Sequence, residues 1–142
     1  MENIAIGERF HRKVLVGADE ARRFAAITGD ENPIHSDEDF ARRSRFGNLV
    51  VPGGQLISLM TGLVATHFFQ PSGRIGVGLE FSCVAHRAVK AGQEVEISWE
   101  VTAVQDEPTL SGTVVTLKGL VSDGQGNTFV TAVTKTLVTD RP

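Results

Sequence analysis

Leu49-Val50-Val51-Pro52-Gly53-Gly54-Gln55-Leu56-Ile57-Ser58-Leu59-Met60-Thr61-Gly62-Leu63-Val64-Ala65-Thr66-His67-Phe68-Phe69 runs for 21 residues without a formal charge. The length would suit a bilayer span. However, Pro52, Gly53, Gly54, Gln55, Ser58, Thr61, Gly62, Thr66 and His67 make it too polar for lipid. A segment that is apolar on nearly every side yet studded with small polar residues reads as the buried helix of a water-soluble fold. The helix proper is expected from roughly Gly54 to His67, after a loop from Ser44 to Gly53. Such a helix needs a surface to bury itself against, and the residues that follow supply one.

From Glu94 to Ala103 the odd positions Val95, Ile97, Trp99, Val101 and Ala103 are apolar, while Glu94, Glu96, Ser98, Glu100 and Thr102 are polar. That period of two marks a half-buried strand. Similar β-rich runs occupy Arg74 to Ala85, Leu110 to Ser122 and Thr128 to Thr139. The connections are turn-like: Lys90-Ala91-Gly92-Gln93, Asp106-Glu107-Pro108 and Asp123-Gly124-Gln125-Gly126-Asn127. Four consecutive strands with short turns predict an antiparallel meander whose single apolar face needs a cover. Upstream, Arg9 to Val16 reads as a first strand. Ala21, Phe24, Ala25 and Thr28 recur at helical spacing, with Asp19 as a cap and Gly29 as a stop, so Asp19 to Thr28 reads as a helix. A short helix around Asp37 to Arg43 follows the Asn32-Pro33 loop. The expected architecture is α+β, an antiparallel sheet of about five strands wrapped around one long central helix, which resembles the hotdog fold.

The chain has 142 residues, 41% of them hydrophobic, with 14 Lys+Arg against 17 Asp+Glu for a net charge of −3. One domain spanning 1–142 is expected, since a chain of this length buries about 68–70% of its unfolded surface and needs no disulfide or structural metal. The single Cys83 agrees with that and with a reducing, cytoplasmic setting. A slightly acidic balance without a basic face argues against nucleic-acid or anionic-membrane partners. No basic-then-apolar leader is expected to direct the chain to export.

The chemistry concentrates after the first helix, in Phe24-Ala25-Ala26-Ile27-Thr28-Gly29-Asp30-Glu31-Asn32-Pro33-Ile34-His35-Ser36-Asp37. An acid and an imidazole five residues apart across a Pro-stiffened turn can point into one pocket. There a carboxylate and a neutral His can together hold and deprotonate one water. The alternative is that Asp30 caps the loop and His35 packs beneath it.

This stretch resembles the signature of the MaoC-like, (R)-specific enoyl-CoA hydratases and dehydratases: a small-Gly-Asp-x-Asn-Pro-aliphatic-His-x-acid run led by an aromatic residue. The resemblance continues through Leu49-Val50-Val51-Pro52-Gly53-Gly54, the loop before the central helix, and through Ser58 on that helix. It implies a catalytic pair, Asp30 and His35, and a backbone N–H from Gly53 for the thioester oxygen. Asn32, Gly54, Ser58 and Thr61 are then the expected substrate-binding residues. Placing an oxyanion donor at a helix N-terminus is also physically sensible, because the first amides lack partners and carry partial positive charge. The implied reaction is hydration of trans-2-enoyl thioesters to 3-hydroxyacyl thioesters, or the reverse dehydration, as in fatty-acid metabolism. No cofactor and no metal is implied, and coenzyme A or an acyl carrier protein enters as part of the substrate.

The chain departs from the family pattern at Pro52-Gly53-Gly54-Gln55, where His-Gly-Met is common, and around Ala85 to Gln93; both changes bear on acyl specificity rather than on the reaction. Thr61 can alternatively satisfy its own helix carbonyl. His67 is expected to interact with the helix C-terminus, and Cys83 to be a buried, inert thiol. His86, Arg87 and Lys90, or Arg42, Arg43 and Arg45, can meet coenzyme A phosphates, though solvated surface charge is the usual explanation of such clusters. A homodimer is expected, because one small curled sheet leaves an edge open. A thioesterase on the same fold and a non-catalytic acyl-binding subunit are the competing readings.

Overall fold

In the computed structural model, described over residues 4–140, five antiparallel strands form one sheet. The ends of the expected domain, 1–3 and 141–142, lie outside the described residues. The elements are β1 (Arg9–Leu15), α1 (Ala18–Thr28), α2 (Glu38–Arg43), α3 (Gly53–Phe69), β2 (Ile75–Ala85), β3 (Glu94–Glu107), β4 (Gly112–Ser122) and β5 (Thr128–Thr139).

The charge-free segment forms the long helix, and its Leu56, Met60, Leu63, Val64 and Phe68 are buried. Facing them are Ile97, Trp99 and Val101 of β3, Val115, Leu117 and Val121 of β4, and Ala132 and Val138 of β5. The period-two residues of β3 thus turn one face to the helix, and removing that apolar area from water is the main stabilising term. Trp99 ties the layers together, its indole Nε1 donating to the carbonyl of Met60 in the middle of α3 at 3.0 Å.

Four expectations are corrected. The strands are ordered β1-β3-β4-β5-β2, so β3, β4 and β5 form a meander but β2 does not pair with β3. It crosses to the far side of β5, because β1 already occupies the free edge of β3, from Arg9 opposite Glu100 to Leu15 opposite Glu94. Ala103 does not continue the buried row. A register shift between Val101 and Ala103 inverts the phase, leaving Ala103 exposed and packing Val104 against the core. Asp19 is not the cap of α1, which starts one residue earlier after Gly17; its carboxylate instead accepts from Arg22 at 2.9 Å. Finally, α3 is not enclosed on all sides, since Ser58, Thr61, Gly62 and Ala65 form an exposed stripe.

The turn Asp123 to Asn127 joins β4 to β5 as expected. The side-chain amide of Asn127 and the backbone amides of Gln125 and Asn127 all donate to the Asp123 carboxylate, which holds its carboxyl below the usual range. Gly126 takes the left-handed φ of 82° that the turn requires. No helix among the described residues is long and apolar enough to cross a membrane.

Candidate active site

The sequence delivers Asp30 to its place through the end of α1. Gly29 adopts the left-handed conformation (φ 72°, ψ 24°), and the amides of Gly29 and Asp30 return to the carbonyls of Ala26 and Ala25. This closes the helix and throws the next residues across its end. The Asp30 carboxylate then works twice. Oδ1 accepts from the Asn32 amide at 3.0 Å, fixing the turn, and Oδ2 faces His35 Nε2 at 3.5 Å.

His35 ends a single 3-10 turn, Pro33–His35, capped by Asn32, whose Oδ1 accepts from the Ile34 amide at 3.3 Å. The ring is buried, and its Nδ1 lies 2.6 Å from the carbonyl oxygen of Val50. A carbonyl only accepts, so Nδ1 carries the hydrogen; in the neutral ring Nε2 is therefore left as an acceptor. Protonation of Nε2 would make the 3.5 Å approach to Asp30 an ion pair. Without that proton two acceptors face each other.

Other contacts hold this loop. Arg22 of α1 donates to Asp19, to the Ser36 carbonyl and to Glu38 at the start of α2, at 2.9, 3.1 and 2.7 Å. Asp37 caps α2 by accepting from the Phe40 amide. Val50 is held in turn by bonds from the Val50 amide to the Ile34 carbonyl and from the Val51 amide to the Val89 carbonyl.

Three residues past Val50, α3 begins at Gly53, behind Pro52. The amides of Gly53 and Gly54 lie in the first helical turn, where no preceding helical carbonyl exists to receive them. Both residues are exposed in the single chain. A methyl group at Gly53 would meet nothing within 4 Å, so this backbone borders open space, whereas one at Gly54 would stand 3.5 Å from the ring of Phe24.

The structure therefore brings Asp30 and His35 together and places Gly53 on the same run of chain that orients the imidazole. Asn32 is in the loop, with its Oδ1 used as a cap. Ser58 and Thr61 lie on the exposed stripe of α3, bonded to the carbonyls of Gly54 and Ser58. Sequence reasoning missed Val50, whose contribution is a main-chain oxygen. His67 does not serve the helix end alone, for its Nε2 pairs with Glu8 at 2.7 Å and its ring stacks on Phe10. Cys83 is exposed, not buried, because β2 is an edge strand. No group of three or more His, Cys, Asp or Glu among the described residues could hold a metal ion.

Gln55, in the first turn of α3, keeps its Oε1 buried with no hydrogen-bond partner among the described residues. An unsatisfied buried acceptor costs about 1–3 kcal/mol. Gln55→Leu is therefore expected to raise stability by about 1 kcal/mol, a few degrees in Tm for a chain of this size. Thermal unfolding measures it, and a fall in Tm would mean that the amide has a partner.

This fold defines a hotdog domain, with Asp30 and His35 brought together at the start of its central helix, and comparison with known proteins agrees on the fold and gives the family. Residues 3–122 match the model of the MaoC like domain, and the chain belongs to that family. It is 32% identical over 110 residues to the (R)-specific enoyl-CoA hydratase of Aeromonas caviae, covering 78% of this chain and 80% of the relative. It is 30% identical over 106 residues to the 3-hydroxybutyryl-CoA dehydratase of Methylorubrum extorquens, covering 75% and 66%. The solved structure of the A. caviae (R)-hydratase involved in PHA biosynthesis superposes with a TM-score of 0.83 at 29% identity, over 96% of this chain and 98% of that one.

Proposed function

We propose that the protein is a hydro-lyase that adds water to trans-2-enoyl thioesters to give (R)-3-hydroxyacyl thioesters, or removes it in reverse. One observation carries the reading: the imidazole has Nδ1 pinned to Val50 and Nε2 turned to Asp30 Oδ2 at 3.5 Å. Two fixed acceptors can each take one hydrogen of the same water, leaving an oxygen lone pair free to attack. The hydratase and dehydratase relatives support the same class of chemistry.

In this mechanism the water oxygen bonds to C3 as one of the pair takes its proton, and the electrons of the 2,3-double bond move toward the thioester carbonyl. A proton returned to C2 from the same side completes a syn addition. The Gly53 N–H and the positive end of α3 stabilise the enolate-like oxygen as its charge develops. No cofactor takes part, and the coenzyme A or carrier-protein portion belongs to the substrate. Asn32, Gly54, Ser58 and Thr61 border the acyl path. The test is loss of the enoyl absorbance of crotonyl-CoA, checked with longer and branched enoyl thioesters. Inertness toward all of them would overturn the reading, and release of free CoA would point to thioester hydrolysis instead.

The working unit in this reading is a homodimer. The two sheet edges differ: β1 carries Arg9, His11, Arg12 and Lys13, while β2, Ile75–Ala85, carries Glu80 as its single charge and exposes Val77, Leu79 and Val84. Charged edges resist pairing and apolar ones invite it. The bare stripe of α3 adjoins β2, a methyl group at Gly76 being 3.9 Å from Ala65 Cα. A second copy paired along β2 would cover both. Sedimentation should give twice the chain mass, with Val84→Lys shifting it toward the monomer; a monomeric parent chain would refute the pairing.

A further inference from the structure

A polar cavity of about 430 Å³ opens beside the ribbon that orients the catalytic imidazole. Its lining includes Asn48, Arg87, Lys90, Gln93, Asp123 and Asn127. Among the described residues neither Arg87 nor Lys90 is in an ion pair. Asp123 opposes them with one negative charge, but both its oxygens are already engaged within the turn by Gln125 and Asn127. The Arg87 guanidinium is near enough to help hold the Asp123 carboxyl low, yet neither cation is in an ion pair, and with the side-chain N–H groups of Asn48 and Gln93 they make a donor set suited to phosphate oxygens. His86, by contrast, is not part of this lining, and its ring bonds to Thr131 Oγ1 at 2.9 Å.

The position of the cavity gives the cations a ligand. Lys90 pairs with Val50 in an isolated antiparallel bridge, flanked by bonds from the Val51 amide to the Val89 carbonyl and from the Ala91 amide to the Leu49 carbonyl, each 2.8 Å. Val50 is the residue whose carbonyl holds His35 Nδ1. The ribbon from Asn48 to Gly53 thus has the cavity at one end, the imidazole's anchor in its middle and the amide tip of α3 at the other end. Fully extended it spans at most about 17 Å. A pantetheine arm, from thioester sulfur to its first phosphorus, is as long as between four and five residues of extended backbone, about 15 Å.

We propose that this cavity binds the phosphate-bearing end of the thioester's carrier, with Arg87 and Lys90 as the phosphate-contacting residues. The inference rests on the thioester reading above and adds to it where the carrier lies. The phosphate can come from coenzyme A or from the phosphopantetheine of a carrier protein, and the experiment separates the two.

The variant is Arg87→Gln with Lys90→Gln, both exposed positions. Its substrates are crotonyl-CoA, a crotonyl-loaded acyl carrier protein, and crotonyl-pantetheine, which lacks phosphate. KM is expected to rise about tenfold for a phosphorylated substrate, with kcat held and KM for crotonyl-pantetheine unchanged. The phosphorylated substrate that is affected names the source. An unchanged KM for both, or an equal rise with crotonyl-pantetheine, overturns the assignment. Calorimetric titration of unacylated CoA and of the unacylated carrier protein keeps the proposal apart from the hydration reading. Should the protein hydrate nothing yet bind either one, with the variant weakening that binding about tenfold, the cavity stands and the reaction falls. If neither binds to the parent chain, the cavity assignment falls too.

Discussion

Asp30→Asn is expected to lower kcat for crotonyl-CoA hydration by about 10²–10⁴-fold while leaving the fold intact. The substitution is nearly isosteric. Its Oδ1 can still accept from the Asn32 amide, the bond that sets the turn, so Tm should stay within a few degrees. What changes is the atom facing His35 Nε2. An amide N–H there donates to the imidazole across the space now 3.5 Å wide, replacing the acceptor that a bound water needs. His35→Ala should cost a similar factor in rate, but it is the less clean variant. It leaves the Val50 carbonyl, buried with its residue, without a partner, which adds about 1–3 kcal/mol of destabilisation. The two residues act on one water, so the double variant should be little slower than the worse single one. Steady-state kinetics on all three, with thermal unfolding alongside, checks the scheme. Full rate in both single variants would remove Asp30 and His35 from the mechanism.

The local parts of this site were legible because they are written in local chemistry. Gly29 stops a helix and Asn32-Pro33 breaks one, and both act within a few residues of their place in the chain. The central helix was legible from its lack of charge, and β5 from its flanking turns. What stayed hidden is relational. A period of two tells which face of a strand is buried but not which strand lies beside it, so β2 read as the neighbour of β3 when it belongs beyond β5. That one misplacement also explains Cys83, which a central strand would have buried and an edge strand exposes. The shift after Val101 is invisible for a related reason, since Ala103 suits either face. Val50 left no trace because a carbonyl looks the same on every residue. The exposed stripe of Ser58, Thr61, Gly62 and Ala65 was present in the composition of α3, but its small residues read equally as close packing inside one chain.

Gly119→Ala should be among the most damaging single-methyl changes in the molecule. Gly119 lies opposite Trp99 in the β3–β4 register, and a methyl group there would stand 2.5 Å from Cζ3 and 2.7 Å from both Cε3 and Cη2 of the indole. The ring has little freedom to yield. It is fully buried, its Nε1 is committed to the Met60 carbonyl at 3.0 Å, and Phe81 meets it edge-on at a centroid distance of 6.4 Å. Against this, replacing a strand glycine gains about 0.5–1 kcal/mol in backbone entropy. Overpacking of a dense core costs about 1–3 kcal/mol, sometimes more, so the clash wins. Denaturant unfolding should show a lower midpoint with an unchanged slope. Trp99→Phe removes the atoms in conflict, so in the double variant the methyl should fill space rather than invade it. The coupling between the two changes should then reach about 1–3 kcal/mol in the restoring direction. An unchanged midpoint in Gly119→Ala would mean that the indole is free to shift. The rate carries a second signature. Because Trp99 holds α3 by its backbone, an indole pushed aside would drag the helix and with it the Gly53 amide, so Gly119→Ala should also slow turnover of the enoyl thioester in protein that remains folded.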